Sequence, residues 1–316
     1  MAIPLLIIVG PTASGKSKLS VELAKFYDGE IISADSMQIY KYMDIGTAKI
    51  TDEEKQGIPH YMIDIVEPNV KFSVAEFEKM AKPIISNIYR RNKLPIIVGG
   101  TGLYIDSLIY IMNFSDYIGN DDFRSALKNI AEVLGNDYLF NRLKVVDPKT
   151  FDKLHPNDLR RIIRALEVYQ FTGKPISVYQ ELSSKRMNPE YDVIMIGLNF
   201  RDRNKLYKRI DDRVDIMLKN NLVNEVVNLL KIGYNKYDTS MQALGYKEIA
   251  EYLDGNVTFE EAISNLKKRT RRYAKRQITW FKSYKIINWF YVDDYIDFEE
   301  LKKNIICFLA GKLNFK

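Results

Sequence analysis

The residues best suited to chemistry in this chain are Gly10, Pro11, Thr12, Ala13, Ser14, Gly15, Lys16 and Ser17. They fit the spacing G-x-x-x-x-G-K-[ST], in which glycines let backbone N–H groups converge on phosphate oxygens and a following helix adds partial positive charge. Lys16 would neutralise a terminal phosphate, and the Ser17 hydroxyl would ligate Mg²⁺. The motif requires a strand before it and a helix after it. Here the apolar run of residues 3–9 reads as a buried strand, and Leu19, Val21, Leu23, Ala24 and Phe26 space like one helical face. A ligand carrying a diphosphate or triphosphate is expected at this loop.

Nucleotide hydrolases and kinases pair such a loop with a carboxylate ending a second apolar strand. The most apolar candidate, residues 94–98, ends instead in Gly99-Gly100-Thr101. Asp35 and Asp64 remain, and spacing alone does not decide between them. Asp35 is the better placed, because it ends a strand beside the phosphate loop and ligands of open α/β sheets sit at the carboxyl ends of strands. A second concentration of chemistry lies near the C-terminus. No acidic residue occurs between Glu261 and Asp293, while Lys267, Lys268, Arg269, Arg271, Arg272, Lys275 and Arg276 place seven positive charges in ten positions. Such clustering attracts nucleic-acid phosphates.

The elements that would position these groups follow from periodicity and punctuation. Strands are expected at residues 3–9, 30–35, 61–66, 94–98, 193–198 and 286–292. Ser73 with Glu76 and Thr258 with Glu261 form capping boxes that open helices. Pro83 would break or kink the first of these. Further helices are expected near Leu103 and over residues 202–220, 222–232 and 241–253. The reading is an α/β protein with a parallel sheet flanked by helices, like a P-loop NTPase. Residues 114–187 lack strand patterns and read as a small all-helical insertion, which leaves 1–113 and 188–316 as the core. In the long basic helix the apolar positions keep helical spacing, so the charges are expected on the solvent side.

Bulk properties narrow the class. A chain of 316 residues suggests about two domains. No apolar run approaches the ~20 residues of a membrane span, and the N-terminal run lacks a basic leader, so it reads as a strand and not a signal peptide. One cysteine, Cys307, and two histidines, His60 and His155, exclude a disulfide framework and a zinc-cysteine cluster. A cytoplasmic, monomeric protein with no membrane partner is expected.

Seven runs in order resemble the tRNA dimethylallyltransferase family, of bacterial type. They are residues 10–17, Ser33-Ala-Asp-Ser-Met-Gln-Ile-Tyr40, Met43-Asp-Ile-Gly-Thr-Ala-Lys49, Val98-Gly-Gly-Thr-Gly-Leu-Tyr104, His155-Pro-Asn-Asp158 with Arg161 and Arg164, Gln242-Ala-Leu-Gly-Tyr-Lys247, and Lys275-Arg-Gln-Ile-Thr-Trp280. The resemblance implies transfer of a dimethylallyl group from dimethylallyl diphosphate to the exocyclic amine of the adenosine immediately 3′ of the anticodon, in tRNAs reading codons that begin with U. It makes the loop a cradle for a leaving diphosphate. It further implies that Thr12 and Arg213 act at the bridging oxygen and that Asp35 is the general base. Asp35, Ser36, Met37 and Gln38 would hold the adenine, with Thr101 contacting RNA nearby. Thr101 also suits a helix N-cap, and Arg213 without the resemblance reads as a solvated helix charge. The anticodon stem-loop of tRNA would meet Arg271, Arg272, Lys275 and Arg276 on the basic helix. It would also meet Arg124, Arg160, Arg161 and Arg164 in the insertion, and Gln242, Gly245, Tyr246 and Lys247. Competing readings are an adenylate isopentenyltransferase acting on free nucleotides, a P-loop small-molecule kinase, and an RNA-binding protein with a vestigial loop.

Overall fold

A computed structural model of the chain describes residues 2–112, 119–183 and 186–313. Leu5 to Val9, Ile31, Ile32, Leu94, Ile96 and Ile97 are all buried, and such continuous apolar runs suit parallel strands covered on both faces. Six strands form one sheet: β1 (Ile3–Val9), β2 (Gly29–Ala34), β3 (His60–Tyr61), β4 (Leu94–Gly99), β5 (Tyr191–Asn199) and β6 (Ile287–Tyr291). Their order is β3-β2-β4-β1-β5-β6, and every pairing is parallel. Helices flank the sheet, as the expected P-loop NTPase-like class requires. The central strand β1 sets Leu6 opposite Ile96 on one side and Ile194 on the other.

The chain divides into two compact units, Met1–Ile109 with Pro189–Lys316, and Tyr110–Asn188. The expected boundary at 113/114 lies outside the described residues. The second unit is helical. Its helices Asp121–Leu134, Asn136–Val146 and Leu159–Thr172 bury Leu127, Leu139, Leu143, Ile162 and Leu166 together. A carboxylate sits among them: Glu167, fully buried, accepts Arg124 Nε at 2.8 Å, Arg124 Nη2 at 3.0 Å, Arg164 Nη1 at 2.9 Å and the Asn120 amide at 2.8 Å. These donors hold its carboxyl below the usual range despite desolvation, which opposes them.

Three expectations are corrected. The strand expected over 61–66 ends at Tyr61, because Met62 and Asp64 take positive φ (63 and 55) and turn the chain away; Val66 keeps only an isolated bridge to Tyr40. Pro83 does not break its helix, which runs unbroken as Val74–Arg90, anchored by the buried row Phe77, Ala81, Ile85 and Ile88. The helix expected over 241–253 begins only at Tyr246, since Gly245 holds φ +93 before it. Both capping boxes form, with Ser73 Oγ accepting Glu76 N–H and Thr258 Oγ1 accepting Glu261 N–H at 3.2 Å each.

Close packing between β2 and β4 explains one of the two adjacent glycines. A Cβ at Gly99 would collide with the backbone of Ala34. Gly99→Ala is therefore expected to lower the unfolding free energy by about 1–3 kcal/mol, read from the midpoint of chemical denaturation.

Candidate active site

A cleft of about 430 Å³ opens in the first unit where β1, β2 and β4 end. Thr12 to Lys18 form its floor, Asp35, Gln38 and Gly100 one wall, and Arg209, Asp212, Arg213, Tyr273 and Gln277 another. The strand β1 delivers the loop and the helix Lys16–Phe26 leaves it. Between them Gly10, Ala13 and Gly15 take φ of 146, 63 and 94, the curl that turns successive amides inward. At Gly10 any side chain would also strike the Leu198 carbonyl of β5.

Cationic charge in this cleft exceeds what its own residues neutralise. Lys16 Nζ donates to the Pro11 carbonyl at 2.7 Å. Burial, with the positive charge of Arg213 beside it, pushes Lys16 down to about 7, and Asp35 opposes that only in part. Arg213 is likewise held below its ordinary value by burial, with Asp35 again as the main opposing charge. Two half-buried cations, with Asp35 as the main opposing charge, make a site that gains most from an incoming anion.

Asp35 stands just past β2, where its Oδ1 accepts the Met37 amide at 2.9 Å. That Asx-type bond fixes the carboxylate's direction. Thr101 Oγ1 accepts the Ser36 amide at 3.0 Å. Thr101 thus fastens the loop after β2 to the loop after β4. Gln38 accepts Ser33 Oγ at 3.0 Å and donates to the carbonyls of Thr47 and Ala48 at 3.3 and 3.4 Å. Asp64, the other candidate carboxylate, pairs with Lys49 and is absent from the cleft wall. For a divalent cation the oxygen donors of the cleft include the Ser17 hydroxyl and the carboxylates of Asp35 and Asp212. Among the described residues no group of three or more His, Cys, Asp or Glu side chains forms a cage. Such a donor set suits Mg²⁺ shared with phosphate oxygens and water.

Two residues that the sequence reading passed over complete the site. Gln277 on the basic helix (Phe259–Phe281) accepts the Thr12 amide at 2.9 Å and donates to the Gly100 carbonyl at 3.1 Å. Gly100 has no room for a side chain because Gln277 fills it. Tyr273, one turn earlier, hydrogen-bonds Thr101 and Gln277, and burial next to Asp35 raises its hydroxyl pKa. The available signal was an amide side chain on the buried face of a helix otherwise lined with apolar groups.

The remaining expected RNA-contact residues divide by partner. On the basic helix Arg271 pairs with Asp211 at 2.5 Å, Arg269 with Glu248 at 2.7 Å and Lys267 with Asp215 at 2.6 Å. The expectation that all its charges face solvent is corrected: the acids are supplied by neighbouring helices. Arg272, Lys275 and Arg276 are exposed. In the second unit Arg160 and Arg161 are exposed, whereas Arg124 and Arg164 hold Glu167. Tyr246 is buried and donates to Glu225 Oε1 at 2.5 Å. Glu225 also accepts the amides of Asp44, Ile45 and Gly46 at 3.0, 2.8 and 3.1 Å. Gln242 donates to the Lys236 carbonyl at 2.7 Å, and Lys247 lies 4.0 Å from Glu251.

Similarity to known proteins agrees with this geometry. The family model described as IPP transferase matches residues 38–284. A protein of Thermoanaerobacter sp. (strain X514) named tRNA dimethylallyltransferase is 70% identical over 315 residues, covering 100% of both chains. One of Acetivibrio thermocellus with the same name is 53% identical over 305 residues, covering 96% of this chain and 97% of the relative. A crystal structure of the tRNA isopentenylpyrophosphate transferase of Bacillus halodurans superposes with TM-score 0.72 at 46% identity, covering 98% of this chain and 96% of that one. A eukaryotic dimethylallyltransferase captured acting on tRNA superposes with TM-score 0.78 at 30% identity, covering 99% and 82%.

A diphosphate that enters must find Lys16 charged. Above pH ~7 the free protein carries this lysine neutral, so binding takes up a proton and affinity falls as pH rises. At pH 8 calorimetry in buffers of different ionisation enthalpy is expected to show uptake approaching one proton per diphosphate bound. In Lys16→Met that uptake disappears.

Proposed function

Because this chain belongs to the IPP transferase family, we propose that it transfers a dimethylallyl group from dimethylallyl diphosphate to a tRNA adenosine, the one immediately 3′ of the anticodon in tRNAs reading codons that begin with U. The observation that carries the reading is a phosphate loop where half-buried Lys16 and Arg213 are opposed chiefly by one carboxylate, Asp35, with no acid ending β4. That arrangement suits a departing diphosphate better than a transferred phosphoryl group.

In the reaction the allylic C–O bond breaks and its electron pair leaves with the diphosphate. A C–N bond forms to the exocyclic amine, whose proton passes to Asp35. Negative charge grows on the diphosphate as the bond lengthens, so loop amides, Lys16, the Thr12 hydroxyl and Arg213 stabilise the transition state more than the ground state. The Ser17 hydroxyl would hold Mg²⁺, which would supply further charge neutralisation at the diphosphate. The adenine amine attacks poorly while its lone pair is delocalised into the ring, and a positioned base is worth about 10²–10⁴-fold. The adenosine reaches Asp35 only by leaving its stack. The Met37 amide holds the carboxylate on which it would land, and Ser36, Gln38 and Thr101 belong to the same pair of loops. Ile31, Ile50, Ile63 and Ile216 in the cleft suit the branched hydrocarbon tail.

The deciding experiment incubates the protein with radiolabelled dimethylallyl diphosphate and tRNA, with ATP as the control donor. Label in tRNA is expected from the prenyl donor alone; ATP hydrolysis without prenyl transfer would remove the reading. Asp35→Asn is expected to slow transfer by about 10²–10⁴-fold with little change in tRNA affinity by filter binding.

Phosphate contacts by the basic helix would come from its exposed members. Replacing Arg272 and Arg276 together by alanine is expected to weaken tRNA binding and to reduce the slope of log K against log salt by about 1–2. Arg271→Ala, whose side chain already holds Asp211, is expected to change the slope by less.

A further inference from the structure

Part of the phosphate cleft's wall is one face of the helix Arg203–Lys219. Arg209, Asp212, Arg213 and Ile216 line the cleft, and spacings of three and four residues put them on one side of that helix. The helix's acids are engaged elsewhere. Asp202 caps it by accepting the Asn204 amide at 2.8 Å, Asp211 pairs with Arg271 at 2.5 Å, Asp212 with Lys208 at 3.1 Å and Asp215 with Lys267 at 2.6 Å. Arg209, by contrast, has no carboxylate partner among the described residues.

What Arg209 does hold is the loop itself. Its Nε donates to the Ala13 carbonyl at 2.9 Å, at a residue whose φ of +63 is disfavoured for a side chain with a Cβ. The Phe200 ring lies 5.6 Å from the guanidinium carbon. Among the described residues the Ala13 bond is the only hydrogen bond of this side chain, so both Nη groups are open. A guanidinium planted on the backbone of a phosphate loop, with its two outer nitrogens free, is arranged for two-pronged contact with phosphate oxygens. Its charge also reaches Arg213, one turn on, and adds to the lowering of that group. Three cations therefore converge on the loop, from Lys16, Arg209 and Arg213.

We propose that Arg209 is a further catalytic residue, whose two Nη groups donate to non-bridging oxygens of the departing diphosphate. The inference rests on the prenyl-transfer reading and adds a residue to it. As the allylic C–O bond breaks, its electron pair moves onto the diphosphate. The guanidinium meets that growing charge without reorganising, because its bond to Ala13 already fixes it against the loop.

Glutamine separates this role from a merely structural one. Its Nε2 stands as many bonds from the backbone as the arginine Nε, so Arg209→Gln can keep the Ala13 bond while removing both Nη groups and the charge. Methionine at the same position removes the Ala13 bond as well. The full chain and both variants are titrated calorimetrically with inorganic diphosphate at pH 7. Binding is expected to weaken about 10–100-fold in Arg209→Gln, with the thermal unfolding midpoint and the affinity for an anticodon stem-loop RNA unchanged. Single-turnover transfer at saturating dimethylallyl diphosphate is expected to slow in the same variant, since the contact strengthens as the bond breaks. Diphosphate affinity equal to that of the unaltered chain in Arg209→Gln overturns the proposal. A loss confined to Arg209→Met also overturns it, and leaves the side chain a support for the loop alone. Prenyl transfer by the unaltered chain is a separate readout. Its absence would sink the reaction reading, whereas the Arg209 contact is decided by diphosphate binding.

Discussion

The carboxamide of Gln277 accepts from the amide of Thr12 and donates to the carbonyl of Gly100, joining the ends of β1 and β4 through the basic helix. Both partners are backbone groups at the rim of a parallel sheet, where loops diverge and their polar atoms otherwise need water. A buried side chain that satisfies one donor and one acceptor there fixes the separation of the two loops. Tyr273 extends the same tie to Thr101, and Thr101 to the amide of Ser36. The phosphate loop, the glycine pair and the carboxylate of Asp35 are therefore held relative to one another by a single helix.

That helix has two electrostatic characters. Its buried face brings uncharged polar groups to the cleft, so the cations there, Lys16 and Arg213, are left to the ligand. Its outer face carries charge that is partly matched by Asp211, Asp215 and Glu248. A run of basic residues with no acid in its own sequence is thus much less basic in space. What remains is concentrated in Arg272, Lys275 and Arg276, toward its C-terminal half.

Much of this arrangement was legible from residue order, because strand, glycine turn and helix start are local signals. β1, β2, β4, β5 and β6 lie close to where alternating apolar runs placed them, and both capping boxes form. The failures have two origins, local backbone geometry and contacts remote along the chain. Around Pro83 the signal was present, since Phe77, Ala81, Ile85 and Ile88 keep helical spacing across it, whereas nothing near residues 62–66 announces the left-handed turns there. The acids that meet the basic helix come from positions about 20 and 50–60 residues earlier. The role of Gln277 was hidden because a glutamine between basic residues reads as one more solvated group. In the second unit the bond of Arg124 to Glu167 was equally invisible, since no spacing rule links residues 43 positions apart, whereas Arg164 and Glu167 are an i,i+3 pair on one helix.

Glu225 has a bearing on how the cleft receives its ligand. Its carboxylate gathers three successive amides, from Asp44 to Gly46, and the hydroxyl of Tyr246. This is a small oxyanion receptor already filled by the protein's own acid, and the segment it anchors leads to Thr47 and Ile50 on the cleft wall. The entropy of ordering that segment is spent during folding. Association at the cleft then proceeds against a rigid surface, which favours rapid capture and leaves the full contact energy to appear as affinity.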